Sequence, residues 1–275
     1  MDDRVTDDRV RVSISQGVAD VRLVRADKMN ALDAAMFEVL VATCGRLAEE
    51  KGLRAVVLSG EGRAFCAGLD MGRFAAMKEK GGNGIAGGEK RDLAARTHGL
   101  ANFPQQAVWG WRQLPVPVIA AIHGVAFGGG FQLALGADMR FLAPDARMSI
   151  MEIKWGLVPD MAGTPILASL VRDDILRELT YTGRIFSAQE ALGYGLATRI
   201  CDDPRAAALE VAHEIAAKSP HAIRAAKRLL NNLSVDPAAA LLAESVEQQK
   251  LIGGPNQLEA VRANIDKRAP RFADV

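Results

Sequence analysis

Apolar and polar residues follow two different periods near the N-terminus of the chain. Residues 10–24 alternate between apolar and polar positions, and Gln16-Gly17 interrupts the alternation near its middle. This pattern is typical of a β-hairpin. From 36 to 47 the apolar residues instead recur at helical spacing behind Asp33, which is a suitable N-cap residue. A hairpin followed by an amphipathic helix is therefore predicted.

Short continuous apolar runs follow at 55–58, 118–122 and 139–142. Runs of this length without alternation are typical of strands that are buried on both faces. Because helical segments separate the runs, the sheet is expected to be mostly parallel, and the predicted fold class is α/β.

Beyond about residue 204 the pattern becomes helical. Proline stands at an early-turn position of segments that begin near Pro204, Pro220, Pro237 and Pro255. We therefore expect an α/β core in residues 1–203 and a helical region in residues 204–275.

The segment GGNGIAGG (81–88) is rich in glycine and has few side chains that could pack. It is interpreted as a mobile loop. Such a loop either covers a nearby site or is a surface insertion without a function.

Composition narrows the classes of function. Apolar residues make up 49% and charged residues 24% of the chain, as in ordinary globular enzymes. The formal net charge of +1 gives no general attraction to nucleic acid or to an anionic membrane. The N-terminal residues lack the apolar core of a signal peptide, and the most apolar run, 116–138, is interrupted by Pro117, His123 and several glycines. We expect a cytoplasmic protein without a membrane span.

The cysteines argue in the same direction. Cys44, Cys66 and Cys201 are far apart and form no CxxC motif. An odd number of distant cysteines argues against a disulfide framework and against a zinc site, and it suits a reducing cytoplasm. No metal site is predicted.

Two glycine-rich turns are the strongest candidates for a functional site. GEGRAFCAGLD (60–70) and IHGVAFGGGFQLALGAD (122–138) each follow a predicted buried strand. Glycine lets a ligand approach the backbone closely, and the first N–H groups of the helix after the second turn are unpaired. No GK[ST] follows these glycines, and FQLALGAD is too apolar for a nucleotide platform. The pair is interpreted as an oxyanion hole made by two backbone N–H groups, or as close helix–strand packing through small residues.

These turns occur together with RADKMNAL (25–32), MEIKWGLVPDMAGT (151–164) and a C-terminal DKRAPRF. In this order the motifs resemble the crotonase family, the enoyl-CoA hydratase/isomerase superfamily, over nearly the whole chain. The resemblance implies a crotonase-like spiral of ββα turns and a C-terminal α-helical region for oligomerisation. It implies an acyl-CoA substrate in fatty-acid metabolism, such as β-oxidation. No separate cofactor is implied, because coenzyme A enters as part of the thioester.

The resemblance also implies roles for individual residues. The thioester oxygen would accept hydrogen bonds from the backbone N–H groups of Leu69 and Gly129 while the enolate forms. Lys28, Met29 and Ala67 would line the path of coenzyme A, mostly through their backbone atoms.

Assembly between subunits is implied as well. Members of the family form homotrimers, or hexamers that are dimers of trimers. A lysine and a phenylalanine near the C-terminus can reach the coenzyme A of a neighbouring subunit, and the matching positions here are Lys267 and Phe272.

The catalytic positions depart from the usual hydratase pattern. Hydratases of this family hold the attacking water with two glutamates, and the matching positions here are Gln132 and Glu152. A glutamine can orient water but cannot accept and return a proton. Asp160 stands where most hydratases have a small residue. A glutamate followed by this aspartate resembles the Δ3,5-Δ2,4-dienoyl-CoA isomerases, although these usually have an aspartate at the position of Gln132.

We therefore favour double-bond isomerisation of an enoyl-CoA or dienoyl-CoA, with Glu152 as the main acid/base and Asp160 as a second. One alternative is an enoyl-CoA hydratase in which Gln132 and Glu152, or Glu152 and Asp160, hold the water. Another is a non-catalytic homologue that binds acyl-CoA or RNA, because 218–230 carries five basic residues when His221 is included. The apolar residues of that stretch have the spacing of an ordinary amphipathic helix, so no nucleic-acid partner is predicted.

Overall fold

The computed structural model describes residues 2–5, 8–70, 72, 92–233 and 236–275, and the predicted loop at 81–88 lies outside these ranges. The strands are β1 Asp2–Val5, β2 Val10–Ser15, β3 Val18–Leu23, β4 Ala55–Gly60, β5 Val118–Ile122, β6 Val125–Phe127, β7 Met139–Leu142, β8 Arg147–Ser149, β9 Phe186–Ser187 and β10 Arg199–Ile200. The helices are α1 Ala34–Glu49, α2 Phe103–Gln113, α3 Gly129–Leu135, α4 Gly163–Leu167, α5 Asp173–Thr182, α6 Ala188–Gly193, α7 Pro204–Ala216, α8 Pro220–Asn231, α9 Pro237–Leu251 and α10 Pro255–Ile265.

The N-terminal predictions are confirmed. β2 and β3 form an antiparallel hairpin, and Gln16 and Gly17 make its turn with φ values of 51° and 77°. Two successive positive φ values suit the right-handed twist of a tight hairpin. α1 begins after Asp33, whose Oδ1 accepts a hydrogen bond from Met36 N at 2.8 Å.

The larger sheet has the order β1-β2-β3-β4-β5-β7-β10 within the described residues. β1 to β3 pair antiparallel, whereas every pair from β3 onwards is parallel. The three predicted apolar strands are β4, β5 and β7, and they lie next to one another. The mostly parallel sheet is therefore confirmed.

Helices cover both faces of the central strands. In β4, Val56 and Leu58 belong to the core cluster that contains the inner residues of α1, α2 and α3. Ala55 and Val57 of the same strand point to the other face and pack with α7. Each of these four side chains is fully buried. This explains why the strand shows no alternation of apolar and polar residues.

A smaller sheet of β6, β8 and β9 extends to Cys66 through a parallel bridge between Cys66 and Ala126. Three of these segments each come after a strand of the larger sheet in the sequence: the segment at Cys66 follows β4, β6 follows β5, and β8 follows β7. Between β5 and β6 the chain turns at Gly124, where φ is 59° and a Cβ would lie 2.1 Å from the carbonyl oxygen of Arg63. The chain thus repeats a two-strand unit that advances along both sheets.

The helices after residue 203 begin with proline, as expected from the sequence. α7 packs on the sheet through Ala208 and Ala212, so the first helix of the region 204–275 is part of the core. α8 is tied to the core by the buried Lys227, whose Nζ donates to Asp138 Oδ2 and to the carbonyl oxygen of Val116, each at 2.8 Å.

Apolar side chains on and beside α8, α9 and α10 are exposed in the single chain. They are Leu230, Leu233, Leu241, Leu242, Val246, Ile252, Leu258, Val261 and Ile265. A role of this region in oligomerisation stays a prediction. Of the helices in the described ranges, none combines the length and the apolar character needed to cross a bilayer.

Candidate active site

The smaller sheet brings three loops to one of its edges. The segment at Cys66, β6 and β8 lie side by side in parallel. Parallel strands end at the same edge of a sheet, so the segments that follow these three meet there. Those segments contain Leu69, Gly129 and Glu152.

The backbone N–H groups of Leu69 and Gly129 have no acceptor within the described part of the chain. Leu32 N donates to Gly68 O at 2.8 Å and Asp70 N donates to Leu32 O at 3.1 Å. Amide groups alternate in direction along an extended segment, so the N–H of Leu69 points away from Leu32. Gly129 is the first residue of α3, where an N–H group has no partner inside the helix.

Glycines allow the two loops to touch. A Cβ on Gly68, which has a φ of 88°, would lie 2.4 Å from the carbonyl oxygen of Phe127 and 3.7 Å from Gly129 N. A Cβ on Gly130 would lie 2.2 Å from the carbonyl oxygen of Cys66. The close packing that was one interpretation of the glycines is present, and it keeps the loops of both N–H groups together. Their role as an oxyanion hole stays a prediction.

A cavity of about 670 Å³ lies at this edge. Seven of the residues predicted for the site line it: Lys28, Met29, Ala67, Leu69, Gly129, Glu152 and Asp160. Apolar side chains, including Leu32, Phe37 and Met161, complete much of the wall.

Glu152 is the first residue of a 3₁₀ turn, Glu152–Trp155, and its side chain is buried. Its carboxylate lies against Gly128, where a Cβ would be 3.5 Å from Glu152 Oε1. Its Oε2 has no hydrogen-bond partner among the described residues. Burial raises the pKa of Glu152, hydrogen bonds from its own backbone and from Gln132 lower it, and the charge of Asp160 raises it; the net pKa is above the usual value.

Gln132 lies behind Glu152. Its Nε2 donates to Glu152 Oε1 at 2.6 Å, and its Oε1 accepts from Met161 N at 2.9 Å and Gly163 N at 3.0 Å. It is 1% exposed and is not among the described residues that line the cavity. This arrangement does not favour the alternative in which Gln132 and Glu152 hold the attacking water, because the N–H groups of Met161 and Gly163 already occupy the carbonyl oxygen of Gln132.

Asp160 also lines the cavity and is half-buried. Burial raises its pKa above the usual value for an aspartate. It also lines a second, smaller cavity of about 260 Å³, together with Gln105 and Trp109. The two predicted acid/base residues therefore share one cavity, and both hold a proton more readily than in water.

The two C-terminal candidates lie elsewhere in the single chain. Phe272 lines a separate cleft with Gly17 and Arg54. Lys267 follows α10 with a φ of 54°, and neither residue belongs to the cavity lining as far as the structure describes it. Their predicted contact with a neighbouring subunit's coenzyme A concerns a second chain and stays a prediction.

The sequence pattern did not single out the residues that hold the site in place. Gly163 lets the amide of Gln132 approach, since a Cβ there would lie 2.7 Å from Gln132 Oε1. Arg25 Nη1 donates to Asp70 Oδ2 at 2.6 Å and to the carbonyl oxygen of Ala31 at 3.0 Å, which fixes the loop after Cys66. Gly163, the glycine of MAGT, was the available sequence signal for the contact with Gln132. No local sequence signal indicates the contact between Arg25 and Asp70.

Other reactive groups nearby have structural surroundings. The buried Cys66 donates from Sγ to the carbonyl oxygen of Asn30 at 3.1 Å, and burial raises the pKa of its thiol to about 12. Such a thiol is a poor nucleophile. Across the described ranges, no group of three or more His, Cys, Asp and Glu side chains is arranged to bind a metal ion.

Known proteins are similar to this chain in sequence and in architecture. The sequence model of the family described as enoyl-CoA hydratase/isomerase matches residues 13–275. A protein of Bacillus subtilis named "Probable enoyl-CoA hydratase" is 31% identical over 268 residues, which cover 96% of this chain and 98% of that protein. The human mitochondrial Delta(3,5)-Delta(2,4)-dienoyl-CoA isomerase is 33% identical over 222 residues, which cover 78% of this chain and 66% of that protein.

Solved structures of enoyl-CoA hydratases are also similar to this chain. The crystal structure of an enoyl-CoA hydratase from Bacillus anthracis is similar with a TM-score of 0.85 and 32% identity, and the match covers 96% of this chain and 98% of that one. An enoyl-CoA hydratase from Mycobacterium tuberculosis matches with a TM-score of 0.83 and 27% identity, over 97% and 99% of the two chains.

Proposed function

The chain belongs to the enoyl-CoA hydratase/isomerase family, and on that premise we propose that it moves a double bond along the acyl chain of an enoyl-CoA or dienoyl-CoA. It has the crotonase fold and is an enzyme of the hydratase/isomerase type that acts on acyl-CoA. Its relatives are named hydratases, dehydratases and isomerases, so the choice among these reactions rests on the site.

One observation carries the proposal. Glu152 and Asp160 line the cavity, whereas Gln132 lies outside the lining and its carbonyl oxygen is occupied by backbone N–H groups. A pair of carboxylates on one cavity wall can remove a proton at one carbon and return it at another. The side chain that would help to hold an attacking water is turned into the protein.

In the proposed reaction the thioester oxygen accepts hydrogen bonds from the N–H groups of Leu69 and Gly129. As a proton leaves the acyl chain, electron density moves onto that oxygen and gives an enolate. A preorganised N–H donor is worth about 2.7–4 kcal/mol when charge develops in the transition state. The two N–H groups have no other acceptor in the described chain, so they are free for this task.

Glu152 is the base in this scheme. Its carboxylate takes a proton from the carbon next to the thioester carbonyl. For a 3-enoyl-CoA, the same group then returns the proton at the other end of the three-carbon unit. For a 3,5-dienoyl-CoA, Asp160 starts protonated and gives its proton at the far end of the conjugated chain. Proton exchange with water then restores both groups, and no proton is gained or lost overall.

Hydration is the second candidate, because several relatives are named hydratases, including one whose length this chain covers to 98%. In that case Glu152 and Asp160 would hold the water across the cavity. Water would add to the double bond of a trans-2-enoyl-CoA with Glu152 moving its proton.

A substrate panel tests the proposal. The protein is incubated separately with 2-enoyl-, 3-enoyl- and 3,5-dienoyl-CoA of several chain lengths, and the ultraviolet spectrum is followed. Isomerisation of the last two creates conjugation with the thioester carbonyl and raises the absorbance. Hydration of the 2-enoyl-CoA lowers it. Loss of the 2-enoyl signal without any change in the other two would overturn the proposal in favour of hydration.

We further propose an oligomeric state, a metabolic role and a cellular location. The exposed apolar residues of α8 to α10 support a homotrimer, or a hexamer built from two trimers. An isomerase with this substrate would act in fatty-acid metabolism, including β-oxidation of unsaturated chains. A cytoplasmic location, the absence of a separate cofactor and a contact of Lys267 and Phe272 with a neighbour's coenzyme A belong to the same proposal.

A further inference from the structure

The orientation of the Gln132 amide follows from its hydrogen-bond partners. Met161 N and Gly163 N both point at one atom of the amide, at 2.9 Å and 3.0 Å. Backbone N–H groups can only donate, so that atom is the carbonyl oxygen. The NH₂ group therefore faces Glu152, and its nitrogen lies 2.6 Å from Glu152 Oε1.

This orientation distinguishes the two oxygens of Glu152. An amide NH₂ has hydrogens to donate and no lone pair to accept with, so Glu152 Oε1 must be the acceptor. Oε1 thus stays unprotonated in both states of the carboxyl group. Oε2 has no partner among the described residues and is the remaining oxygen on which a proton can reside.

We propose that Gln132 is a positioning residue that holds Glu152 Oε1 as a permanent acceptor, so that the proton moved in the reaction travels on Glu152 Oε2. This inference rests on the proposed function, since it assigns an atom to the base of that reaction. It also explains the glutamine: a glutamate there would place a second carboxylate oxygen against Oε1.

The charged groups around Glu152 affect the test. Among the described residues, those that share its cavity are Asp27, Lys28, Asp70, Lys154 and Asp160. Asp160 raises the pKa of Glu152, whereas the hydrogen bond from Gln132 lowers it. Removal of the Gln132 donor should therefore raise the pKa of Glu152 while the other groups stay in place.

The first variant is Gln132→Met, which keeps the length of the side chain and removes both of its polar atoms. Titration of Glu152 is followed in the free protein by infrared difference spectroscopy, with Glu152→Gln subtracted to isolate this carboxyl group. We expect the titration to move to higher pH. We also expect kcat at neutral pH to fall roughly tenfold to a hundredfold, as for loss of a hydrogen bond to a charged group, and to recover partly as the pH rises. KM should change little.

The second variant is Gln132→Glu, which keeps an oxygen for Met161 N and Gly163 N and so keeps the fold. Its other oxygen would face Glu152 Oε1, and the two carboxylates would have to share a proton. We expect the infrared titration of this variant to move to higher pH as well. Gln106→Met is the matched control, because Gln106 lies on α2, is half-buried and does not line the cavity within the described chain.

The outcomes separate two kinds of failure. If the infrared titration of Glu152 stays in place in both Gln132 variants, or if kcat falls by the same factor at every pH, Gln132 has only a structural role and the inference is overturned. If the titration moves while the wild-type protein isomerises no substrate, the inference about Glu152 stands and the proposed reaction fails.

Discussion

Within the described residues, the cavity wall has polar groups without hydrogen-bond partners, whereas the C-terminal helices have apolar side chains without a covering surface. At the cavity, polar groups lack partners in the described chain: the N–H groups of Leu69 and Gly129, which line the cavity, and the buried Oε2 of Glu152. On α8 to α10, large apolar side chains such as Leu242 and Ile265 are exposed at 65% and 74%. Enclosed polar groups are costly without a ligand, and exposed apolar groups are costly without a covering surface.

This difference indicates what each region binds. The cavity offers donors and a proton acceptor, so its partner should carry an oxygen and an acidic C–H, as an acyl-CoA thioester does. The helices expose apolar surface, so we propose that another protein surface, a copy of the chain, covers it. Substitutions at the cavity should therefore affect mainly the reaction, and substitutions on the exposed faces of α8 to α10 should affect mainly the assembly.

The largest effect is expected from Glu152→Gln. Without its proton acceptor the reaction should slow by about 10²–10⁴-fold in kcat, the usual range for loss of a general base. Folding should be preserved, because the amide can still accept from Gln132 Nε2. Steady-state kinetics and circular dichroism measure both. Glu210→Gln, at an exposed site on α7, is the matched control and should leave kcat unchanged.

Gly68→Ala should come next. A methyl group there would meet the carbonyl oxygen of Phe127 at 2.4 Å and push apart the loops that carry the Leu69 and Gly129 N–H groups. Loss of one donor to the developing charge would lower kcat by about 10²–10³-fold. Gly253→Ala is the control, because its φ is 75° and no atom lies within 4 Å of the added Cβ. A similar loss of activity in both variants would point to backbone strain instead.

Leu242→Glu should prevent assembly without a large change in the free energy of unfolding of the single chain. A charge at this exposed position on α9 would oppose burial against another copy, so light scattering should show a lower mass than the wild-type oligomer. Exposed substitutions usually change the free energy of unfolding by about 0.5 kcal/mol or less. Gln249→Glu adds the same charge to the same helix. If the wild type itself has the mass of one chain, the trimer proposal is wrong.

The smallest effect is on the pH dependence of stability. The pKa of Glu152 is raised in the folded protein by burial, so its contribution to stability is complete below the ordinary glutamate pKa and is lost as the pH rises through the raised value. Glu152→Gln should therefore gain Tm relative to wild type on going from acid to neutral pH.

Asp33 provides the opposite case for the same measurement. Burial would raise its pKa, but hydrogen bonds from Arg9 and Met36 N outweigh this and lower it. Its contribution is present above the ordinary aspartate pKa and is lost as the pH falls, so Asp33→Asn should lose Tm at neutral pH. Equal trends in the Asp33 and Glu152 variants would contradict these assignments.

The parts of the fold that were predictable depend on local physics. The turn at Gln16-Gly17 and the cap at Asp33 are made by neighbouring residues, and β4 shows its burial by its own composition. The repeated two-strand unit has no such signal, because Cys66 meets Ala126 only after the chain has passed through another strand of the larger sheet. The resemblance to a family supplied that part.

The site was predictable to a different extent. Leu69, Gly129, Glu152 and Asp160, which the motifs singled out, line one cavity, while their roles stay predictions. The position of Gln132 was not predictable, since its amide is fixed by backbone groups 29 and 31 residues further along the chain. A glutamine in a sequence gives no indication of whether its side chain faces a ligand or supports the residue that does.

Exchange of the acyl α-proton tests the central claim most directly. The protein is incubated in D₂O with saturated acyl-CoA thioesters of short, medium and long chain, which can form an enolate but can neither isomerise nor add water. We predict that mass spectrometry will show deuterium at the α-carbon with the wild-type protein and not with Glu152→Gln. Equal exchange in both proteins, or no exchange with any chain length, would contradict the claim that Glu152 and the two N–H groups form an enolate site.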